Sequence, residues 1–290
     1  MRVVRPLPPS HRDYDTIHRI ESALLREAGC PERLRKEIPR LVRQAIDEVI
    51  DTPRTGRVHS RELEKTEKTY VGTKVEILVR NFFHLPKGIL DLKIDGLDVD
   101  VKNTLGTTWM IPREAVGKPC ILVASDELHR TCSFGVLVAH LENLTAGANQ
   151  DKKRSVSALG ATHIHWIFAD EPYPPSFWSQ IGERKTHAIM RGRSGNDRVE
   201  TLFREVQRRP IQRDIIQAVG QQKDSLKRLR KNGGARDKLA EEGIAILSRK
   251  YNAELIELLK LGPVELDEFV SIKPASKEEK MLLRQAEKLR

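Results

Sequence analysis

Apolar residues recur with helical spacing near the start of the chain. Ile17, Ile20, Leu24 and Leu25 form one run and Ile38, Leu41, Ile46 and Ile50 a second, with Pro31 between them. This spacing predicts helical structure over 14–50, ended by Pro53 and Gly56. A further helix is expected over 64–83, with Val71, Val75, Ile77, Leu78, Phe82 and Phe83 on its buried side. The period then changes. Residues 89–94 and 97–102 alternate, and WMIP at 109–112, CILVA at 120–124 and SFGVLVAH at 133–140 read as further strands. Helices before and after a short mixed sheet predict an α/β (α+β) domain over residues 1–150.

Residues 143–160 are rich in small and polar side chains and read as a linker or long loop, so a linker is placed at about 151–170. Ile164–Phe168 reads as a short strand, and EPYPPS at 171–176 argues against regular structure. A second, mainly helical domain is expected over 171–290. Val199, Leu202, Phe203 and Val206 share one helix face from Asp197 onward. Ile211–Val219 reads as a short helix, Gln221–Lys231 as another, and Asn232-Gly233-Gly234 as a break. Ala235–Glu241 is a fourth helix, and IAILS after Gly243 a strand. That order fits a winged helix-turn-helix, and a plain helical bundle gives a similar string. Ser276–Arg290 is a charged helical tail.

The length of 290 residues agrees with two domains, and 39% hydrophobic content suffices for their cores. The formal net charge is +10 and unevenly placed. Residues 1–150 carry 23 basic and 21 acidic side chains, whereas Arg184–Lys238 carries 16 basic and 6 acidic. Such concentration is the footprint expected of phosphate contacts, although a solvated lysine-rich surface gives the same count. No apolar run reaches the length of about 18 residues needed for a membrane helix, and the N-terminus lacks the apolar stretch of a secretory signal. Cys30, Cys120 and Cys132 form no C-x-x-C pattern. They argue against a disulfide framework and fit a reducing, cytoplasmic setting. His163 and His165 have no metal-ligand spacing around them, and neither a P-loop nor a G-x-S-x-G elbow is present. Trp109, Trp166 and Trp178 read as core residues.

Candidate chemistry lies in ILDLKIDGLDVDVK, residues 89–102. Asp95-Gly96 between alternating runs signals a two-residue hairpin, which fixes the register. Ile94 then faces Leu97, Lys93 faces Asp98, Leu92 faces Val99 and Asp91 faces Asp100. Leu90, Leu92, Ile94, Leu97, Val99 and Val101 form the apolar face; Asp91, Lys93, Asp98, Asp100 and Lys102 form the other. Facing aspartates, with Cβ atoms roughly 5 Å apart, repel unless something offsets them. Oxygen-coordinated Mg²⁺ does so, and Lys102 would then reach the scissile phosphate and attacking water. An ordinary solvated face with Lys93 and Lys102 balancing the aspartates accounts for the same residues. Glu76, flanked by Val75, Ile77 and Leu78, is either a surface residue or an inward-pointing third ligand. Asp98 competes for that role, but its neighbour Lys93 makes an ion pair the simpler account.

The run PRTGRVHSRELEKTEKTYVGTKVEILVRNFF followed by LDLKIDGLDVDVKNT resembles the catalytic domain of the NaeI-type restriction endonucleases. RVETLFREVQRRPIQRDIIQAVGQQKDSLKRLRKNGGARDKLAEEGIAIL resembles the same family's second DNA-binding domain, in the same order. The resemblance covers about residues 45–260. It implies a PD-(D/E)xK nuclease domain followed by a winged helix-turn-helix domain like that of the catabolite activator protein. It also implies a Mg²⁺-dependent homodimer of a restriction-modification system that binds two copies of a palindromic double-stranded DNA site, one as effector. By motif position it assigns Glu76, Asp91 and Asp100 as catalytic metal ligands and Lys102 as the catalytic lysine. Leu90 stands where the PD motif has proline. DNA contacts are then expected from Arg236 and Lys238 near a major groove and from Lys223, Lys227, Arg228 and Arg230 at phosphates. Arg54 and Arg57 are expected to contact DNA from the catalytic domain, or are plain surface arginines. Residues 180–260 alone are expected to bind DNA with steep salt dependence. Two rivals remain: a DNA-binding regulator with an inactive nuclease-like domain, and a repair or junction nuclease.

Overall fold

The computed structural model describes residues 2–221 and 234–289. Two compact units divide the chain: Met1–Ile50 with Arg57–Ser176, and Asp51–Gly56 with Phe177–Arg290. No helix among the described residues is long and apolar enough to cross a membrane.

The first unit opens with α1 (Tyr14–Ala28) and α2 (Pro31–Ile50), divided where Pro31 was expected to divide them. A four-residue helix α3 (Thr52–Thr55) belongs to the second unit, and α4 (Lys65–Phe82) returns to the first. The strands are β1 (Leu92–Ile94), β2 (Leu97–Thr104), β3 (Met110–Ile111), β4 (Pro119–Asp126), β5 (Thr131–Val138), β6 (Arg154–Ser155) and β7 (His165–Pro172). Helix α5 (Ala158–Thr162) lies between the last two. The main sheet runs β1-β2-β4-β5-β7, with β2 and β4 parallel and the other pairs antiparallel. This mixed sheet confirms the α/β (α+β) expectation.

Apolar side chains cover both faces of the sheet. On one face Val99, Val101, Ile121, Val123, Phe134 and Val136 pack with Ile20, Leu24, Ile38, Val42, Val71, Val75 and Val79 from the helices. On the other, Cys120, Leu122, Ala124 and Leu137 pack with Trp109, Val156 and Trp166. Two expectations change here. Ile77 is 37% exposed, because Val71, Val75 and Val79 already fill the inward stripe of α4 at i, i+4 and i+8. Leu90 leaves the hairpin's apolar face and joins the cluster around Trp109.

Residues 151–170 are not a linker. They hold β6, α5 and most of β7, and β7 completes the main sheet by pairing with β5. The polar run misleads because its side chains bond back onto their own backbone instead of forming an apolar stripe. Glu171 and Pro172 also belong to β7, and the unit ends at Ser176.

The second unit contains α6 (Phe177–Ile181), α7 (Glu183–Met190), α8 (Gly195–Glu205), β8 (Ile211–Gln212) and α9 (Arg213–Gly220). After the undescribed stretch come α10 (Ala235–Glu241), β9 (Ala245–Ser248), α11 (Arg249–Leu258), β10 (Glu268–Ile272) and α12 (Lys277–Gln285). Its sheet order is β8-β10-β9, all antiparallel. Among the described residues, α8, β8, α9, α10, β9 and β10 run in the order expected of a winged helix. Residues 211–212 are strand rather than helix, and α11 stands between β9 and β10 where a wing would be. The expected helix Gln221–Lys231 lies almost wholly outside the described residues. A fragment of 180–260 would lack β10, the middle strand of its own sheet, so independent binding is no longer expected of it.

Helices α8 and α9 approach closely at Gly195. A Cβ there would sit 2.3 Å from the Gly220 carbonyl oxygen, so only glycine fits. Arg198 clamps the same junction, donating from Nε to Val219 O at 2.9 Å. Gly195→Ala is expected to destabilise the second unit by about 1–3 kcal/mol, as overpacking does. Calorimetry of the whole chain would show it as a lowered melting transition.

Candidate active site

The site begins at the β1–β2 hairpin. Asp95 (φ 45°) and Gly96 (φ 85°) both adopt the left-handed conformation that a type I′ turn requires. Leu92↔Val99, Lys93↔Asp98 and Ile94↔Leu97 pair in the register expected from sequence.

The ladder stops one residue short of Asp91. Rather than pairing backbone to backbone with Asp100, Asp91 accepts the Val101 N–H through Oδ2 at 2.8 Å. A side-chain oxygen thus replaces a strand carbonyl, ending β1 and folding the carboxylate over β2. Asp98 also departs from expectation: its Oδ1 accepts the Ile89 N–H at 2.7 Å, pinning the loop that leads into the hairpin.

Lys102 gathers the acids. Its Nζ lies 2.8 Å from Asp100 Oδ1, 3.5 Å from Asp91 Oδ2 and 3.6 Å from Glu76 Oε1, and donates to Val101 O at 2.9 Å. Asp100 and Lys102 come from β2, Asp91 from the lead-in to β1, and Glu76 from α4 beside its buried valine stripe. The four residues singled out in the sequence therefore meet at one ammonium. Asp98 is not among them.

Burial dominates the electrostatics. The Asp100 side chain is only 5% exposed. Burial raises its carboxyl, Lys102 partly opposes this, Asp91 adds to it, and the result is about 7. Burial and the Asp91 charge likewise push Glu76 above its ordinary value, against Lys102 and Lys153. Burial lowers Lys102, but Asp100, Asp91 and Glu76 more than offset it and hold the ammonium charged. Cys120, the ladder neighbour of Asp100, is buried and its thiol is pushed up, so it forms an inert wall.

Three carboxylates gathered at one ammonium, two of them raised by burial, offer oxygen donors of the kind a hard cation takes. Asp100 Oδ2 is buried with no hydrogen-bond partner, which is the orphaned acceptor such an ion would satisfy. Among the described residues, no group of three or more His, Cys, Asp or Glu side chains is placed to hold a metal ion. Mg²⁺ does not demand one, since it is usually held by one or two carboxylates with waters and phosphate.

The expected DNA contacts fare differently. Arg57 is committed within the catalytic unit: it forks onto Glu67 at 2.6 and 2.8 Å. Sequence reasoning missed this because the partner lies across a loop. Arg54 is exposed and pairs with Asp51. Lys238 is exposed and pairs with Glu200 at 2.9 Å. Arg236 is partly buried beside Tyr251, and its Nε lacks a hydrogen-bond partner. Lys223, Lys227, Arg228 and Arg230 lie outside the described residues. The three tryptophans are buried, as expected.

Comparison with known proteins adds the remaining evidence. Residues 30–282 match the family described as "Restriction endonuclease NaeI". The chain is 34% identical over 224 residues to the type II restriction enzyme NaeI of Lentzea aerocolonigenes, covering 73% of this chain and 69% of that protein. The family match runs through the carboxylate hairpin and on through the winged-helix strands. The chain belongs to the NaeI restriction endonuclease family.

Proposed function

We propose that the chain hydrolyses phosphodiester bonds of double-stranded DNA at a specific palindromic site, using Mg²⁺ and the four residues Glu76, Asp91, Asp100 and Lys102. Family membership makes it a type II restriction endonuclease. The observation that carries the finer reading is the convergence of three acids on Lys102 within 3.6 Å.

Bound Mg²⁺ would supply Lewis-acid chemistry, polarising a phosphoryl oxygen and acidifying a water. Asp100 and Asp91 would hold the cation, with Glu76 completing the acidic wall. Asp100 must give up its proton to do so. Lys102 donates toward the attacking water and the developing negative charge, a preorganised contribution in a partly buried site. In-line attack leaves 5′-phosphate and 3′-hydroxyl ends.

The winged-helix unit holds the duplex, through Arg236, Lys238 and the basic segment before them, with Arg54 as an exposed contact. A homodimer matches the two-fold symmetry of a palindrome. A second bound copy of the site serves as effector, and the enzyme works in the cytoplasm as part of a restriction-modification system.

Digestion of a sequenced plasmid with and without Mg²⁺, followed by end mapping, tests this. Discrete fragments with fixed ends that vanish in Asp100→Ala are expected. DNA binding without cutting under any divalent metal would instead favour a regulator, and structure-dependent nicking a repair nuclease.

A further inference from the structure

The connection between α4 and β1, residues 83–91, runs from the helix that carries Glu76 to Asp91, and it is fixed at both ends and in the middle. His84 N donates to Asn81 O and Leu85 N to Arg80 O, both at 3.2 Å, with His84 in the left-handed region at φ 51°. Lys93 N donates to Pro86 O at 2.9 Å, and Ile89 N to Asp98 Oδ1 at 2.7 Å. A Cβ on Gly88 would sit 2.4 Å from Asp98 Oδ1 and 2.6 Å from Leu92 O, so the loop lies flat on the hairpin only with glycine there. Leu85 packs against the core on one face of the sheet and Leu90 against the core on the other.

Ile89 is 92% exposed although its backbone is held. An isolated apolar side chain on a surface is ordinary. This one is set apart by where it stands. Asp98, Asp100 and Lys102 alternate along β2 and share one face, and it is Asp98 that receives the Ile89 N–H. Cys120 and Leu122, the ladder neighbours of Asp100 and Lys102, belong to the cluster that takes Leu90. The loop therefore crosses the face of β2 on which the candidate site is built, sends Leu90 inward and leaves Ile89 outside.

Asp91 follows two residues later, so the two Cα atoms are at most about 7 Å apart. The side chains of Glu76, Asp91 and Lys102 are partly exposed, which leaves a phosphate a way in. The grooves of B-form DNA are about 6 and 12 Å wide. A phosphate seated at Asp91 thus brings the adjoining groove wall within reach of Ile89. Sugars and base edges offer apolar surface, and apolar side chains are what proteins wedge into grooves. Because the loop is already fixed, the contact costs little ordering.

We propose that Ile89 packs against the groove wall of the substrate duplex beside the phosphate that is cut, presented there by the fixed loop 83–91. This rests on the nuclease reading above and adds a substrate-binding residue to it.

The test puts a probe at the residue, after the wild-type cut has been mapped. In the full chain carrying Cys30→Ser, which removes the exposed thiol, Ile89→Cys is tagged with an iron–EDTA reagent that breaks nearby sugars. The tagged protein is bound to the same duplex with Ca²⁺ replacing Mg²⁺. Breaks within a few nucleotides of the wild-type cut are expected. Untagged Ile89→Ala is expected to need about three- to tenfold more enzyme for half-maximal single-turnover cleavage, as loss of an apolar contact does, with its melting temperature unchanged. Ile89→Leu restores the wild-type requirement. Breaks elsewhere or none would overturn the proposal, as would an Ile89→Ala variant that saturates like wild type or melts earlier. If wild type cuts at fixed sites, only this proposal falls; if wild type cuts no duplex, the nuclease reading falls with it.

Discussion

Asp100→Asn is expected to abolish DNA cleavage and at the same time to stabilise the folded chain above pH 7. The Asp100 carboxyl titrates at about 7 in the folded chain instead of at its ordinary 3.8, because it is buried and lies beside Asp91. Between those values the folded chain holds a proton that the unfolded chain has released. The stability this proton represents is complete below pH 3.8 and is lost as pH rises through about 7. Above that, the protein bears a buried carboxylate it would rather keep neutral. Asparagine has the shape of the neutral acid without the titration. A gain of about 1–3 kcal/mol at pH 8, shrinking toward zero near pH 4, follows from the shift after allowance for relaxation. Paired melting curves at the two pH values check it; an equal change at both would show that charge is not the cause. Cleavage by wild type is expected to show the opposite trend, rising as pH passes through neutrality, because Asp100 would hold the metal only when ionised.

Lys102→Ala should reduce single-turnover cleavage by about 10³-fold while leaving duplex affinity within a few-fold of wild type. In the proposed role the ammonium would act on charge that develops in the transition state more than on docking. The same substitution removes the cation that holds three acids within 3.6 Å of one point. Their repulsion is then left for an added ion to relieve. Mg²⁺ should therefore raise the melting temperature of Lys102→Ala more than that of wild type, by ligand linkage. Collapse of DNA affinity in this variant would place Lys102 in binding instead of chemistry.

The hairpin was legible because two signals agreed. Asp95-Gly96 demanded a two-residue turn, and the alternation on either side left one register that buries Leu92, Ile94, Val99 and Val101. What pattern could not supply was the behaviour of Asp91. Its replacement of a backbone carbonyl by a carboxylate oxygen obeys no period, so the direct pairing with Asp100 was overdrawn although both reach Lys102. Glu76 was left open between surface and interior, since an acid among apolar neighbours on α4 fits both until the valine stripe is located.

The larger miss, the linker placed over 151–170, has the opposite origin. The polar stretch before β7 forms structure through side-chain-to-backbone bonds at Thr145, Asn149 and Arg154, and such bonds leave no apolar trace. Arg57 was left open between a DNA contact and a plain surface arginine, and its fork onto Glu67 lies across a loop that no period reveals. Charge density could not separate cations that pair with an acid from those that do not.

One consequence concerns how such enzymes can be rebuilt. The cutting unit is interrupted: Asp51–Gly56 belongs to the other unit, where Gln221 Nε2 donates to Pro53 O. A swap that grafted a new DNA reader at residue 150 would amputate the edge strand of the catalytic sheet, and one made cleanly after Ser176 would still orphan this hexapeptide. Chimeras between relatives are thus expected to survive only when the donor module brings its own match for the inserted stitch.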